Sequence, residues 1–285
     1  MKIFTCMLGL SFAALASSHA TVLFSENFDS YTSGESIAVA GPANWAQSNN
    51  LTGISADIVQ TDTNDYFGAG TGNKMGQISQ LSPNGNLAIL NSTTATSFGL
   101  TGQVSFDYVV PPYDTVSPTS QPYVTDSSSQ DGIVFRIGSA AGNSNSAFGL
   151  LFKDSSLYAV SGSSLGAPVL LASAAASTMH SLSIVYNNQS TSFNYDGGSL
   201  AAQSMDVYLD GVLVGDDLAH GALAADTAIA SLGFITKTAN STVLTMYTDN
   251  FVVSDTVVIP EPSTLSLAGL GALLAVVMLR RRKRD

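Results

Sequence analysis

The chain has 285 residues, enough for one large all-β domain or two small ones, and a formal net charge of −11 from 10 basic and 21 acidic residues. The basic residues Lys2, Arg280, Arg281, Arg282, Lys283 and Arg284 sit in the terminal segments, so the body keeps only Lys74, Arg136, Lys153 and Lys237; a surface this acidic repels phosphate backbones and anionic lipid, and nucleic acid is excluded as a partner. The single cysteine, Cys6, lies in an N-terminal apolar run, which leaves the rest of the chain without disulfides, thiolate metal sites or a cysteine nucleophile.

At the N-terminus, Lys2 precedes an apolar stretch from Ile3 to Ala16, and Ser18-His19-Ala20 places small residues around a variable one. This three-part pattern predicts a secretory signal helix over residues 1–20, cleaved between Ala20 and Thr21. The body, 21–258, opens on Glu26-Asn27-Phe28-Asp29-Ser30-Tyr31. Period-two alternation then marks half-buried strands at Val104–Tyr108, Ile133–Ile137 and Leu182–Tyr186. Met205–Leu209 continues the pattern, and Asp210-Gly211 reads as a tight hairpin turn into Val212–Val214. A closing strand runs through Asp249-Asn250-Phe251-Val252-Val253.

Helical periodicity is scarce. Only Leu170–Met179 and Leu218–Ile229 offer it, and both are alanine-rich rather than amphipathic. Many short strands with polar outer faces predict an antiparallel β-sandwich. The stretch from Pro111 to Asp131, rich in Pro, Ser, Thr and Asp, is long for a connection and reads as a functional loop or an insertion between two strands. The opening motif, the middle hairpin and the closing strand fall where a laminin-G-like or concanavalin A-like jelly roll places its own, so the body resembles that fold.

The chain ends on Ile259-Pro260-Glu261-Pro262-Ser263-Thr264, an uncharged apolar run from Leu265 to Leu279, and the basic cluster Arg280–Arg284. The run predicts a transmembrane helix over about 264–280 with the basic tail 280–284 in the cytoplasm and the body outside. Pro260-Glu261-Pro262, the short apolar helix and the arginines Arg280, Arg281 and Arg282 resemble the PEP-CTERM sorting signal. The resemblance, confined to residues 259–285, implies handling by the secretion machinery and by an exosortase, a membrane-embedded transpeptidase. It implies membrane anchoring with the body outside, then release to the cell surface or extracellular matrix after tail processing. It also implies an exopolysaccharide setting.

Catalytic constellations are missing from the sequence. After Ala20 only His180 and His220 could act as a base, and no Gly-x-Ser-x-Gly elbow is present. Two histidines so far apart do not make a zinc motif. Jelly-roll glycosidases commonly carry Glu-x-Asp-x-x-Glu on one strand; the body's glutamates are Glu26 and Glu35 alone, and although Asp206 and Asp210 alternate onto one strand face, Asp210 is better explained as the turn residue before Gly211. The reading is therefore non-enzymatic, with no catalytic residue, and a carbohydrate-active hydrolase or lyase on the same scaffold is the alternative.

The residues leave two binding chemistries. Hard cations suit carboxylate and amide oxygens, so Glu26, Asp29, Asp249 and Asn250 are the candidate ligands of a structural calcium, brought together if the first and last strands pair. Glycans stack on aromatic faces, which makes Trp45, Tyr66, Tyr113 and Tyr123 the candidate platform. Together these predict an exported, lectin-like β-sandwich that binds glycan or is structural.

Overall fold

The computed structural model describes residues 20–37, 45–47, 55–80, 89–92, 97–111, 132–140, 142–153, 156–160, 168–237 and 244–259. The fold is an antiparallel β-sandwich. One sheet takes, in spatial order, β15 (Val212–Ala219), β14 (Ser204–Leu209), β11 (His180–Asn187), β6 (Thr101–Val109), β17 (Leu244–Ser254), β4 (Lys74–Gln80) and β3 (Ser55–Thr61), with β1 (Val22–Glu26) also pairing with β17. The other takes β10 (Val169–Ser173), β9 (Ser156–Val160), β8 (Ser146–Lys153), β7 (Gly132–Gly138), β16 (Ser231–Lys237), β5 (Ile89–Ser92) and β2 (Trp45–Gln47). A small hairpin of β12 (Phe193–Tyr195) and β13 (Gly198–Leu200) pairs with neither sheet and packs against Val185 and Tyr208 of β11 and β14.

The alternation seen in the sequence sets which side chains face the interior. Val104, Phe106 and Tyr108 of β6, Leu182, Ile184 and Tyr186 of β11, and Ile133, Phe135 and Ile137 of β7 enter one core, while Ser105 and Asp107 do not. Its centre is aromatic. Phe106 stacks on Phe251 at 4.7 Å and meets Phe135 at 4.8 Å, and Phe234 contacts Phe135, Phe106 and Phe251 from β16. Such pairs join the two sheets through burial plus ring geometry.

Turn chemistry is also as the residues dictate. Asp210 and Gly211 both take positive φ, 53° and 78°, the conformation of a tight hairpin between β14 and β15. The two weakly helical stretches are not helices. Residues 169–173 form β10 and Leu218-Ala219 end β15, because sheet pairing overrides the modest helix propensity of alanine-rich segments. The signal segment and the apolar tail fall outside the described residues, as does the long connection beyond Pro111.

Candidate functional site

β17 is the strand on which the site is built. Along one edge it pairs with β6 from Tyr247 to Ser254; along the other it pairs with β4 up to Thr248 and with β1 from Phe251 onward. Asp249 and Asn250 therefore stand at the seam where one partner strand gives way to another. A bulge sits at the same point, since two residues intervene between Asp249 and Val252 where β6 has only Phe106 between Asp107 and Ser105. Asn250 adopts φ 56°, a left-handed conformation that asparagine tolerates better than most residues. The bulge has a packing reason. Met246 and Thr248 are buried on one parity and Phe251 and Val253 on the other, so one extra residue is needed to keep both pairs inside.

The seam opens into a cleft of about 450 Å³ lined by Ser25, Glu26, Asn27, Ser30, Asn250, Phe251 and Val252. Behind Asn250, beside the cleft, lies a hydrogen-bonded set of acids and amides. Asp107 lies opposite Asp249 across β6 and β17. The Asn250 side-chain amide donates to Asp107 Oδ2 at 2.9 Å, Asn73 Nδ2 donates to Asp249 Oδ2 at 2.9 Å, and the Asn250 backbone N–H donates to Asp249 Oδ1 at 2.8 Å. Burial raises the Asp249 carboxyl to about 6; the bonds from Asn73 and Asn250 oppose the shift, and the charges of Asp29 and Asp107 add to it.

Glu26 serves the chain reversal after β1. Its carboxylate accepts from the Phe28 backbone N–H at 2.8 Å and from the Tyr31 hydroxyl at 3.0 Å, holding Phe28 at φ 59°. Burial first, then the charge of Glu26, pushes the Tyr31 phenol upward, so it stays a donor. Asn27 Nδ2 donates to Asp29 Oδ2 at 2.9 Å, and Lys74 Nζ donates to the carbonyls of Asp29 and Tyr31.

The four residues selected for calcium, Glu26, Asp29, Asp249 and Asn250, are thus brought to one seam by the pairing of first and last strands. The carboxylates of Glu26, Asp29 and Asp249 accept from N–H and O–H donors, and among the described residues no group of three or more His, Cys, Asp or Glu side chains is arranged to hold a metal ion. Asp107 and Asn73 complete the cluster and were not singled out from sequence. The outward parity of Asp107 between Phe106 and Tyr108 was the available signal; nothing local points to Asn73.

Trp45 is corrected. It is 4% exposed, edge-on to Phe24 at 5.7 Å and to Phe251 at 5.8 Å, and belongs to the core rather than to a binding platform. Tyr113 and Tyr123 lie outside the described residues. Tyr66 stacks on Tyr247 at 5.7 Å, beside Phe67, Met75 and Val109 in a small cluster separate from the main core. His180 is held at both ring nitrogens, Nδ1 against Asp210 Oδ2 at 2.8 Å and Nε2 against the Ala175 carbonyl at 3.1 Å, which leaves no nitrogen for a nucleophile's proton. Asp206 is buried and accepts from the Tyr195 hydroxyl and from the Asp217 N–H, whereas Asp210 holds His180 and the Ser181 N–H.

Residues 258–283 match the family model described as the PEP-CTERM protein-sorting motif. The tail is a PEP-CTERM sorting motif. It implies export and membrane anchoring before exosortase processing. Among the described residues no helix is long and apolar enough to cross a membrane; the apolar run of the motif is outside them.

No curated protein matches the chain. Among solved structures, the sandwich is similar to part of a sialidase, with a TM-score of 0.50 and 14% identity over 82% of this chain; the chain spans only 18% of that sialidase's length. It is also similar to the carbohydrate esterase vb_24B_21 of the Shiga toxin-encoding bacteriophage phi24B (TM-score 0.49, 16% identity, 84% of this chain and 100% of that one). A third is the carbohydrate recognition domain of Emp47p, with a TM-score of 0.46 and 11% identity over 85% of this chain and 99% of that one.

Proposed function

We propose that this is an exported surface or extracellular-matrix protein whose body, residues 21–258, is a concanavalin A-like jelly roll that binds a neutral glycan without transforming it. The observation that carries the reading is the cleft at the β1/β17 seam. Its size lies within the usual range for small-molecule sites, and Ser25, Glu26, Asn27, Ser30 and Asn250 offer the hydroxyl, carboxylate and amide groups that hydrogen-bond a polyol. Glu26 in the lining, with Asp107 and Asp249 beside Asn250, disfavours anionic ligands there. Because the carboxylates already serve hydrogen-bond donors, binding is expected to survive a chelator.

A second reading rests on Asp249. A carboxyl raised to about 6 and facing other carboxylates is the kind of acid that hydrolases use, so a glycan hydrolase on this scaffold is the alternative. A glycan-array screen of the full-length protein in mild detergent, with Asn250→Ala beside it, tests both. Saturable binding that the variant loses, with the glycan recovered intact, is the expected result. Cleavage abolished by Asp249→Asn would select the hydrolase, and no binding to any glycan would leave a structural coat role.

A further inference from the structure

After Ser254 the chain turns off β17 and crosses the outer face of the eight-stranded sheet. Asp255 is tied to the residue before β1: its N–H donates to the Thr21 carbonyl at 3.2 Å, and its carboxylate accepts from the Thr21 N–H at 2.9 Å. Val257 is buried against Val185 of β11, Tyr208 of β14 and Leu200 of β13, and Ile259 joins the same cluster beside Gly197, at the turn of the small hairpin. Between them the Val258 side chain is exposed, and its main chain is held by a single side chain. Gln103, buried on the outer face of β6, accepts from the Val258 N–H through Oε1 at 2.6 Å and donates from Nε2 to the Val258 carbonyl at 3.0 Å. Nε2 also donates to Ser183 Oγ, which fixes the orientation of the amide. The Gln103 amide thus does for Val258 what a neighbouring strand does in a ladder.

Val258 and Ile259 are also the first two residues of the matched sorting motif, and Pro260-Glu261-Pro262 follows directly. Extended peptides are bound chiefly through their main-chain N–H and C=O groups. Those of Val258 are already engaged, and with at most about 3.6 Å per residue there is no slack between Ile259 and Pro260 for an enzyme to close around the signature.

We propose that Gln103 is a positioning residue for exosortase processing: it holds the first residues of the motif on the body, and the enzyme takes the Pro-Glu-Pro signature from molecules in which residues 256–259 have lifted off the sheet. Lifting off breaks the two Gln103 bonds and the Val257 and Ile259 contacts and leaves the pairing of β17 with β6 intact, so it is a local opening and not unfolding. The clamp is separate from the cleft at Asn250 and stands whether or not that cleft binds glycan.

The test follows the size shift of the full-length chain during a pulse-chase in an exosortase-bearing cell, together with hydrogen exchange of the Val258 amide in the purified full-length protein in mild detergent. The amide should be protected in wild type. Gln103→Ala should expose it while the β17 amides stay protected, and should speed processing about fivefold or more, the order by which losing two ordinary hydrogen bonds raises the lifted-off fraction. Val257→Ser should act in the same direction and decides in its place if Gln103→Ala fails to fold. A Gly-Ser linker of about eight residues inserted between Ile259 and Pro260 should speed processing as much without exposing the amide, and Gln103→Ala should then add nothing, whereas a variant that merely loosened the body would still add. The proposal is overturned by an unprotected Val258 amide in wild type, by processing that is unchanged or slower once the amide is exposed, or by an acceleration from Gln103→Ala that persists behind the linker. If neither wild type nor any variant is processed, the exosortase reading of the motif fails, and the proposal with it.

Discussion

Two side chains show how much a single residue's surroundings decide. Trp45 is the chain's one tryptophan, and it packs edge-on between Phe24 and Phe251 with its indole N–H unpartnered. Trp45→Ala is expected to cost about 3–5 kcal/mol in denaturant unfolding, whereas Trp45→Phe, which removes the unpaired N–H, should cost far less. Its fluorescence should be that of a buried indole and should not respond to added glycan. Asp249 is the second case. Its carboxyl is raised from 3.8 to about 6 in the folded protein, so between those values the folded state holds a proton that the unfolded chain has released. Stability therefore falls as pH rises through that window, and the full penalty is present above about 6. Asp249→Asn should be the more stable protein above pH 6, the difference closing as pH falls toward 3.8; a difference independent of pH would contradict the shift.

At the scale of elements, β17 carries the fold's least regular feature. Its bulge at Asn250 re-phases the strand so that Met246 and Phe251 both reach the core, and the same irregularity turns Asp249 and Asn250 toward Asp107. The break in alternation between Thr248 and Phe251 is visible in the sequence, but the change of partner from β4 to β1 is not, because pairing is a long-range property. The site was legible to the extent that Glu26, Asp29, Asp249 and Asn250 could be placed near one another. Asp107 and Asn73 come from β6 and the approach to β4, and only the register brings them in. Close strand approach leaves its own mark at Gly102 of β6, where a β-carbon would lie 2.6 Å from the Ser254 carbonyl and 2.7 Å from the Tyr186 hydroxyl. Since one of these is backbone, Gly102→Ala should destabilise by about 1–3 kcal/mol in urea unfolding.

For the whole molecule, the sorting motif and the sandwich have separable roles. Replacing Pro260, Glu261 and Pro262 by alanine should leave the thermal unfolding of the body unchanged. In an exosortase-bearing cell it should accumulate unprocessed protein in the membrane fraction, read as a size difference on an immunoblot. A processed product at wild-type levels would show that Pro-Glu-Pro is not what the enzyme reads here.

What the sequence by itself determined is everything that depends on local pattern: the sorting tail, the all-β class, the inward parity of β6, β7 and β11, and the Asp210-Gly211 turn. These are properties of a few consecutive residues and their period. The tertiary structure decided what depends on distant partners. Trp45 and Tyr66 look alike as aromatic candidates in sequence, yet one is sealed between two phenylalanines from other strands and the other pairs with Tyr247 outside the main core. Arg136 reads as one more charged strand residue until Gly149 and Gly233 are found across from it. Burial and strand register set the chemistry of such side chains, and both arise only when segments far apart in the chain are packed together.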